Sequence, residues 1–372
     1  MSPDVLSSRA LGRATLARQL LTERAEMAPL EAIEHLAGLQ AQAPRPPYFG
    51  LWSRLAGFRP EQLSELLLDR RAVRAGVMRG TVHLVSARDF VQLRPLTKPV
   101  YERLVASELR RGQVAADPRE VAAAGLELLR RGPLTSAELG EKLRGMWPGE
   151  DPYTLAKTAY RLAPVVQIPP RGVWGRSGRP TYDTVEHWLG RPVAVEPCVE
   201  TYVLRYLGAF GPASAADAQT WSGLTRLGEV LERLRPQLRV FRDEAGRELF
   251  DLPEAPRPGP GLPVPARFVA EYDNLVLSHA DRSRVVPEET RKRLASKNGQ
   301  VPGTFLLDGT VRGTWKLTER GHGGSAVLTV SPFDWLTDAQ EQELADEGER
   351  LLAFAVPGDR GRTVSFTAPP RT

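Results

Sequence analysis

Gly132-Pro133-Leu134-Thr135-Ser136-Ala137-Glu138-Leu139 returns further along the chain as Gly211-Pro212-Ala213-Ser214-Ala215-Ala216-Asp217-Ala218. In the first copy Thr135 caps a helix start, and Glu138 reaches back to the cap amide to close a capping box. Ser214 and Asp217 hold the same places in the second copy, with a shorter acid and a weaker box. Gly-Pro ends the preceding helix in both.

The stretches downstream of the two copies match as well. After Thr135 the pattern reads as a short helix, a turn, a longer helix over residues 153–163, and strands over 165–168 and 180–183. After Ser214 it reads as a short helix, a Ser222-Gly223 turn, and a helix over 224–234 with Leu224, Leu227, Val230, Leu231 and Leu234 on one face. Strands over 238–241 and 248–251 then flank Asp243-Glu244-Ala245-Gly246, a hairpin signal. Helix-turn-helix followed by a hairpin is a winged helix. Residues 1–116 fit a less regular third copy, with helices over 11–21, 29–39 and 60–68 and strands over 73–78 and 81–85 turning at Arg79-Gly80. Helices over 87–111 lead to the second unit. The expected fold is therefore α+β and mainly helical, with three tandem winged helix-turn-helix units at 1–116, 117–195 and 196–372. The last of these includes a proline-dense loop over 252–266, strands over 268–277, 304–307, 310–316 and 326–330, and a closing helix over 338–354.

Composition bounds the function. The 372 residues allow two or three cores, and 41% hydrophobic with 26% charged residues is ordinary for a soluble protein. No run of about 18 apolar residues occurs, so no membrane span is expected. The start, with Asp4 and Arg9, lacks a signal-peptide pattern. Cys198 is the only cysteine, which excludes an internal disulfide and a thiolate-rich metal site, and a cytoplasmic location fits. The net charge of +5 permits a polyanionic partner. Lys98, Lys142, Lys157, Lys292, Lys297 and Lys316 are the lysines among 50 basic residues, so 44 are arginine. Codon bias in a GC-rich genome is the bland reading of that excess, and arginine is also the better bidentate phosphate ligand.

Gln40-Ala41-Gln42 is the unusual chemical feature. The pair reads as the polar end of a helix before the Pro44–Pro47 turn, between Leu36 and Leu39 on one side and Tyr48, Phe49 and Trp52 on the other. Two amides between apolar blocks need a reason. Neither titrates at pH 7, so neither is an acid or a base. Both can orient a water and set a carbonyl dipole against a developing cation.

These residues, together with residues 10–21, Met78-Arg79-Gly80-Thr81-Val82-His83-Leu84-Val85, Tyr272-Asp273-Asn274-Leu275, Ser278-His279-Ala280-Asp281-Arg282 and Gly313-Thr314-Trp315, resemble the AlkZ-type tandem winged-helix DNA glycosylases. The resemblance runs in order over essentially the whole chain. It implies three winged helices forming a concave DNA-binding channel, with Gln40 and Gln42 as the catalytic motif. Related bacterial enzymes carry Gln-x-Asp there. Gln42 matches the branch linked to self-resistance against crosslinking natural products such as azinomycin B.

The chemistry agrees with that implication. An N7-alkylated purine is already cationic and leaves without a general acid, so the transition state is oxocarbenium-like and the protein's task is positional and electrostatic. Two glutamine carbonyls holding the water and facing the sugar would suffice. The expected partner is duplex DNA with alkylated or crosslinked purines, acted on by a monofunctional, cofactor-free, monomeric enzyme. An ordinary closed base-flipping pocket could not take a crosslinked base. The rival from another class is a non-catalytic winged-helix DNA-binding or regulatory protein. A second rival is a resistance protein that sequesters the free drug.

Other groups are weaker candidates. His83, on an alternating strand, is by default a core or capping residue, and the resemblance makes it a neighbour of the amide pair. Arg79 precedes it and is placed to take a phosphate. Residues 318–326 form a Gly-rich tip. The bland reading is a flexible hairpin, whereas the resemblance implies entry into DNA with Arg320 and His322 as the reaching groups. Asp273, Asn274, His279, Asp281 and Arg282 read as a structural polar network, with Asp281 paired to Arg282 or Arg284. No Cys/His ligand spacing or phosphate-binding glycine loop occurs, so no metal or nucleotide is expected.

Overall fold

The computed structural model describes residues 4–111, 116–294, 299–319, 325–358 and 361–369. It is an α+β protein. Among the described residues the strands form three sheets of three, five and six strands.

Both Gly-Pro copies fold as their capping signals require. Helix Ser136–Arg144 starts with the Thr135–Glu138 box, and helix Ala215–Ser222 with the Ser214–Asp217 box. The second helix of each pair follows, Pro152–Leu162 and Leu227–Leu234. Antiparallel hairpins come next: Val165–Gln167 with Thr181–Thr184, and Arg239–Asp243 with Glu248–Asp251. Helix Leu227–Leu234 buries Leu227, Val230, Leu231 and Leu234 against Tyr206, Phe210 and Trp221. Each such side chain contributes about 1.5–3 kcal/mol on burial.

The six-stranded sheet positions the amide motif. Strands Ala72–Gly76 and Val82–Ser86 pair antiparallel around a tight turn at Met78–Gly80. Leu39–Gln40 adds to the outer edge of Val82–Ser86. On the other side Arg74 pairs with Gln167, joining the strands of the first hundred residues to those that follow Pro152–Leu162.

Four sequence expectations change. Residues 29–39 are not one helix: Pro29–His35 stops, and Leu39–Gln40 is a strand. The amide of Gly38 bonds the Ile33 carbonyl at 2.9 Å and that of Ala37 bonds Glu34 at 3.1 Å, with Ala37 left-handed at φ 53°. That is a Schellman ending with alanine where glycine is usual, so the stop left no trace in the sequence. Residues 87–111 form a single helix, Ala87–Arg110, that runs through Pro95 and Pro99. Residues 268–277 are a short strand, Arg267–Val269, followed by a 3₁₀ turn at Asn274–Val276. Strand Arg362–Phe366, which periodicity missed, pairs parallel with Ala326–Pro332.

Many arginines act as internal staples. Arg18 meets Asp251 at 2.6 Å with both side chains wholly buried, and Arg54 meets Asp273 at 2.8 Å. Arg94 and Arg284 cap backbone carbonyls inside the protein. Part of the arginine excess is thus structural, because a planar fork with five donors can satisfy several buried carbonyls at once.

Candidate active site

Gln40 stands opposite His83 in the strand ladder. Ala41 is held from both sides: its N–H donates to the Val82 carbonyl and its carbonyl accepts from Arg74 Nη2, both at 2.8 Å. Just upstream, Gly38 has φ +92°, and a Cβ there would lie 2.8 Å from Val85 Cγ1. Only glycine fits this close approach. The motif's backbone is fixed in place by the sheet.

Gln40 is 7% exposed, and its side chain belongs to a polar knot. Its Oε1 accepts from Arg79 Nη2 at 2.9 Å. Arg79 also donates to Asn274 Oδ1 at 2.6 Å and, through Nη1, to the Trp221 carbonyl at 2.8 Å. The knot therefore gathers residues from four separate stretches of the chain. Arg79 takes a left-handed backbone, φ 54°, to aim inward. For a residue other than glycine that conformation costs about 1–3 kcal/mol and is found at functional sites. Arg79, expected to take a phosphate, makes its described side-chain bonds to these internal acceptors. Burial lowers its pKa to about 10, so it remains charged at neutral pH.

His83 is wholly buried, and burial, helped by the Arg79 charge, pulls its pKa down to about 3. Its Nδ1 lies 3.2 Å from the Thr81 carbonyl and its Nε2 3.3 Å from Arg79 Nη2. One tautomer satisfies both: Nδ1–H donates to Thr81 and Nε2 accepts from Arg79. The imidazole is neutral, with both nitrogens engaged.

Gln42 differs. It is exposed, and its Oε1 is only loosely held, 3.4 Å from the Val82 N–H. It borders a cleft of about 310 Å³ lined by Tyr101, Tyr160, Tyr182, Lys157, Arg161 and Arg171. Tyr160 and Tyr182 stack at 4.5 Å, and Lys157 and Arg161 share Glu108 at 2.7 and 2.9 Å. Arg171 bonds the Gly178 carbonyl and has no carboxylate partner among the described residues. A cleft with a guanidinium that lacks a carboxylate partner suits a phosphate-bearing strand.

Arg320 and His322 lie outside the described residues. The flanking strands Thr310–Glu319 and Ala326–Pro332 pair antiparallel, with Glu319 opposite Ala326. Glu319 pairs with Arg45 at 2.7 Å, so the end of this strand stands beside the segment that follows Gln42. The second polar cluster is dispersed. Asp273 serves Arg54, and Asn274 joins the Gln40 knot. His279 bonds the Phe210 carbonyl, and burial lowers its pKa to about 3. Asp281 pairs with Arg247, not with Arg282 or Arg284.

Sequence reasoning missed Arg74 and the Trp221 carbonyl as parts of the site, and gave Asn274 no specific role. The only signal for Asn274 is its place in Tyr272-Asp273-Asn274-Leu275. Arg74 sits in an otherwise apolar strand, and a buried cation there has no periodic signature.

Known proteins share this architecture. The family model described as "DNA glycosylase AlkZ-like" matches residues 33–354. An interstrand DNA cross-link repair glycosylase of Streptomyces sahachiroi is 26% identical over 345 residues, covering 85% of this chain and 88% of the relative. The solved structure of Streptomyces sahachiroi DNA glycosylase AlkZ superposes with a TM-score of 0.81 at 20% identity, covering 98% of this chain and 100% of that one.

Proposed function

From the premise that this chain belongs to the AlkZ-like DNA glycosylase family, hydrolases of N-glycosyl bonds, we propose that it excises cationic N7-alkylated purines from duplex DNA, including purines joined in interstrand crosslinks. The observation that carries this reading is the amide pair itself. Gln40 and Gln42 flank one pinned residue, beside a cationic, tyrosine-lined cleft. The cross-link repair named for the Streptomyces sahachiroi relative supports the crosslink substrate.

The chemistry needs no titrating group. A base carrying a ring cation leaves as its C1′–N9 bond stretches, and positive charge shifts to the sugar. The exposed Gln42 carbonyl can hold the attacking water, while neutral His83 adds no charge to oppose the oxocarbenium ion. Without a strong base or acid, uracil and unmodified purines are poor substrates. Three tandem winged helices around an open channel, with the hairpin at 310–332 reaching the lesion through Arg320 and His322, would accept a base that cannot be rotated out of the stack. The protein acts as a monomer without a lyase step.

The test is base release from a duplex with one N7-methylguanine, comparing wild type with Gln40→Ala and Gln42→Ala, followed by an azinomycin-type crosslink. The expected result is release by wild type and its loss in both variants with DNA affinity retained. No release from either lesion would leave a DNA-binding protein and sink the catalytic assignment.

A further inference from the structure

Arg79 decides which edge of the Gln40 amide is free. A guanidinium has five donors and no acceptor. The amide atom 2.9 Å from Arg79 Nη2 is therefore oxygen, and Nε2 lies on the opposite edge. Asn274 is fixed by the same logic, with Oδ1 on Arg79 and Nδ2 on the Gly38 carbonyl at 3.1 Å, so its oxygen already faces the guanidinium. No described residue accepts from Gln40 Nε2, and Gln40 lines a narrow opening with Pro46, Glu271 and Asn274. The carbonyl expected from sequence to face the substrate is turned inward, and an N–H edge is left.

We propose that Gln40 serves the reaction as a hydrogen-bond donor to the departing purine, with Arg79 as the positioning residue and Gln42 as the water's acceptor. This rests on the glycosylase reading above. Three recipients are conceivable. Donation to the water would draw electron density from the oxygen that attacks C1′. Donation toward the sugar would set the positive end of an amide dipole against a growing cation. Only the base gains electron density. As the C1′–N9 bond breaks, its electron pair passes to the purine and cancels the charge of the alkylated ring. The water oxygen bonds C1′ and gives up one proton to solvent. N3, adjacent to the carbon that carries N9, is the ring acceptor closest to the breaking bond. A donor there binds more strongly in the transition state than in the ground state, as catalysis requires.

The two amides then do opposite work. Gln40 steadies what leaves, and Gln42 steadies what arrives.

The experiment measures single-turnover release from duplexes carrying N7-methylguanine or its 3-deaza analogue, in which C–H replaces N3. Gln40→Glu keeps an acceptor for Arg79 but has no N–H. Gln40→Met removes both groups at similar volume, and guards against a charge effect in the first variant. Both should lose about 10²-fold in rate with DNA affinity unchanged. The 3-deaza base should cost wild type a similar factor and cost Gln40→Met nothing further, the signature of a coupled pair. Near-wild-type release by Gln40→Glu, or additive losses in the 3-deaza cycle, overturns the donor role while leaving the glycosylase intact. No release of N7-methylguanine by wild type overturns the glycosylase reading and the donor role with it.

Discussion

Gln40 and Gln42 are the same residue type two positions apart, yet the fold gives them different surroundings. Gln40 is 7% exposed, opposes His83 in a sheet, and gives its oxygen to Arg79. Gln42 is exposed and holds the Val82 N–H at 3.4 Å, the outer limit of a hydrogen bond. The first is built to stay still and the second is free to meet a ligand. A motif is therefore less a pair of side chains than a pair of environments.

Four experiments break or sharpen this contrast. The largest effect is expected behind Gln40. Arg54 donates to Asp273, Gly50 and Gln19 in the interior, so Arg54→Met leaves a buried carboxylate unpaired. It should cost about 3–5 kcal/mol of stability, read from denaturant midpoints. A loss under about 1 kcal/mol would mean that the rigid side of the motif is not rigid.

Next comes Arg79. In Arg79→Met the Gln40 amide is free to turn, and release should fall about 10²-fold, in rate rather than in substrate affinity. Arg79→Lys, still a donor, should recover part of that loss. Equal losses in both variants would point to simple structural damage.

The third effect is pH dependence. His83 and His279 both have folded pKa values of about 3, against 6.5 for free histidine. Below pH 6.5 the unfolded chain binds protons that the folded one refuses, so stability is complete above that pH and lost as pH falls toward 3. Each contributes a slope of up to about 1.4 kcal/mol per pH unit in that window. His83→Gln should flatten acid unfolding measured by circular dichroism. The release rate should stay level between pH 6.5 and 8.5, because neither amide nor the neutral His83 titrates there. A bell-shaped profile would reveal an acid or base that the amide mechanism lacks.

The smallest effect belongs to the open side. Arg45 and Glu319 are each nearly half exposed, so Arg45→Ala should change stability by less than about 1 kcal/mol. If the hairpin must stand beside Gln42, the same change should slow release of a bulky crosslink more than of a methyl adduct.

Legibility tracked the range of the interactions. The capping boxes at Thr135 and Ser214, the hairpin at residues 239–251 and the turn at Arg79-Gly80 are local events, each encoded within a few residues. The amide pair stood out for a similarly local reason, as polar groups between apolar blocks. The helix stops in the first hundred residues were illegible. Leu20, Ala37 and Arg70 take the left-handed place at helix ends where glycine would have announced it. That error put Gln40 at the end of a helix rather than on a strand.

By itself the sequence determined the order of helices and hairpins, the presence of two non-titrating amides, and a basic, arginine-rich chain. Those features are written in neighbouring residues and in composition. Tertiary structure alone decided that Arg79 turns inward, that Asn274 and the Trp221 carbonyl meet it, and therefore which edge of Gln40 is free. Residues 40, 79, 221 and 274 share no periodicity. Their meeting depends on the close packing of distant elements, and a buried guanidinium can be satisfied only by whatever acceptors that packing brings to it.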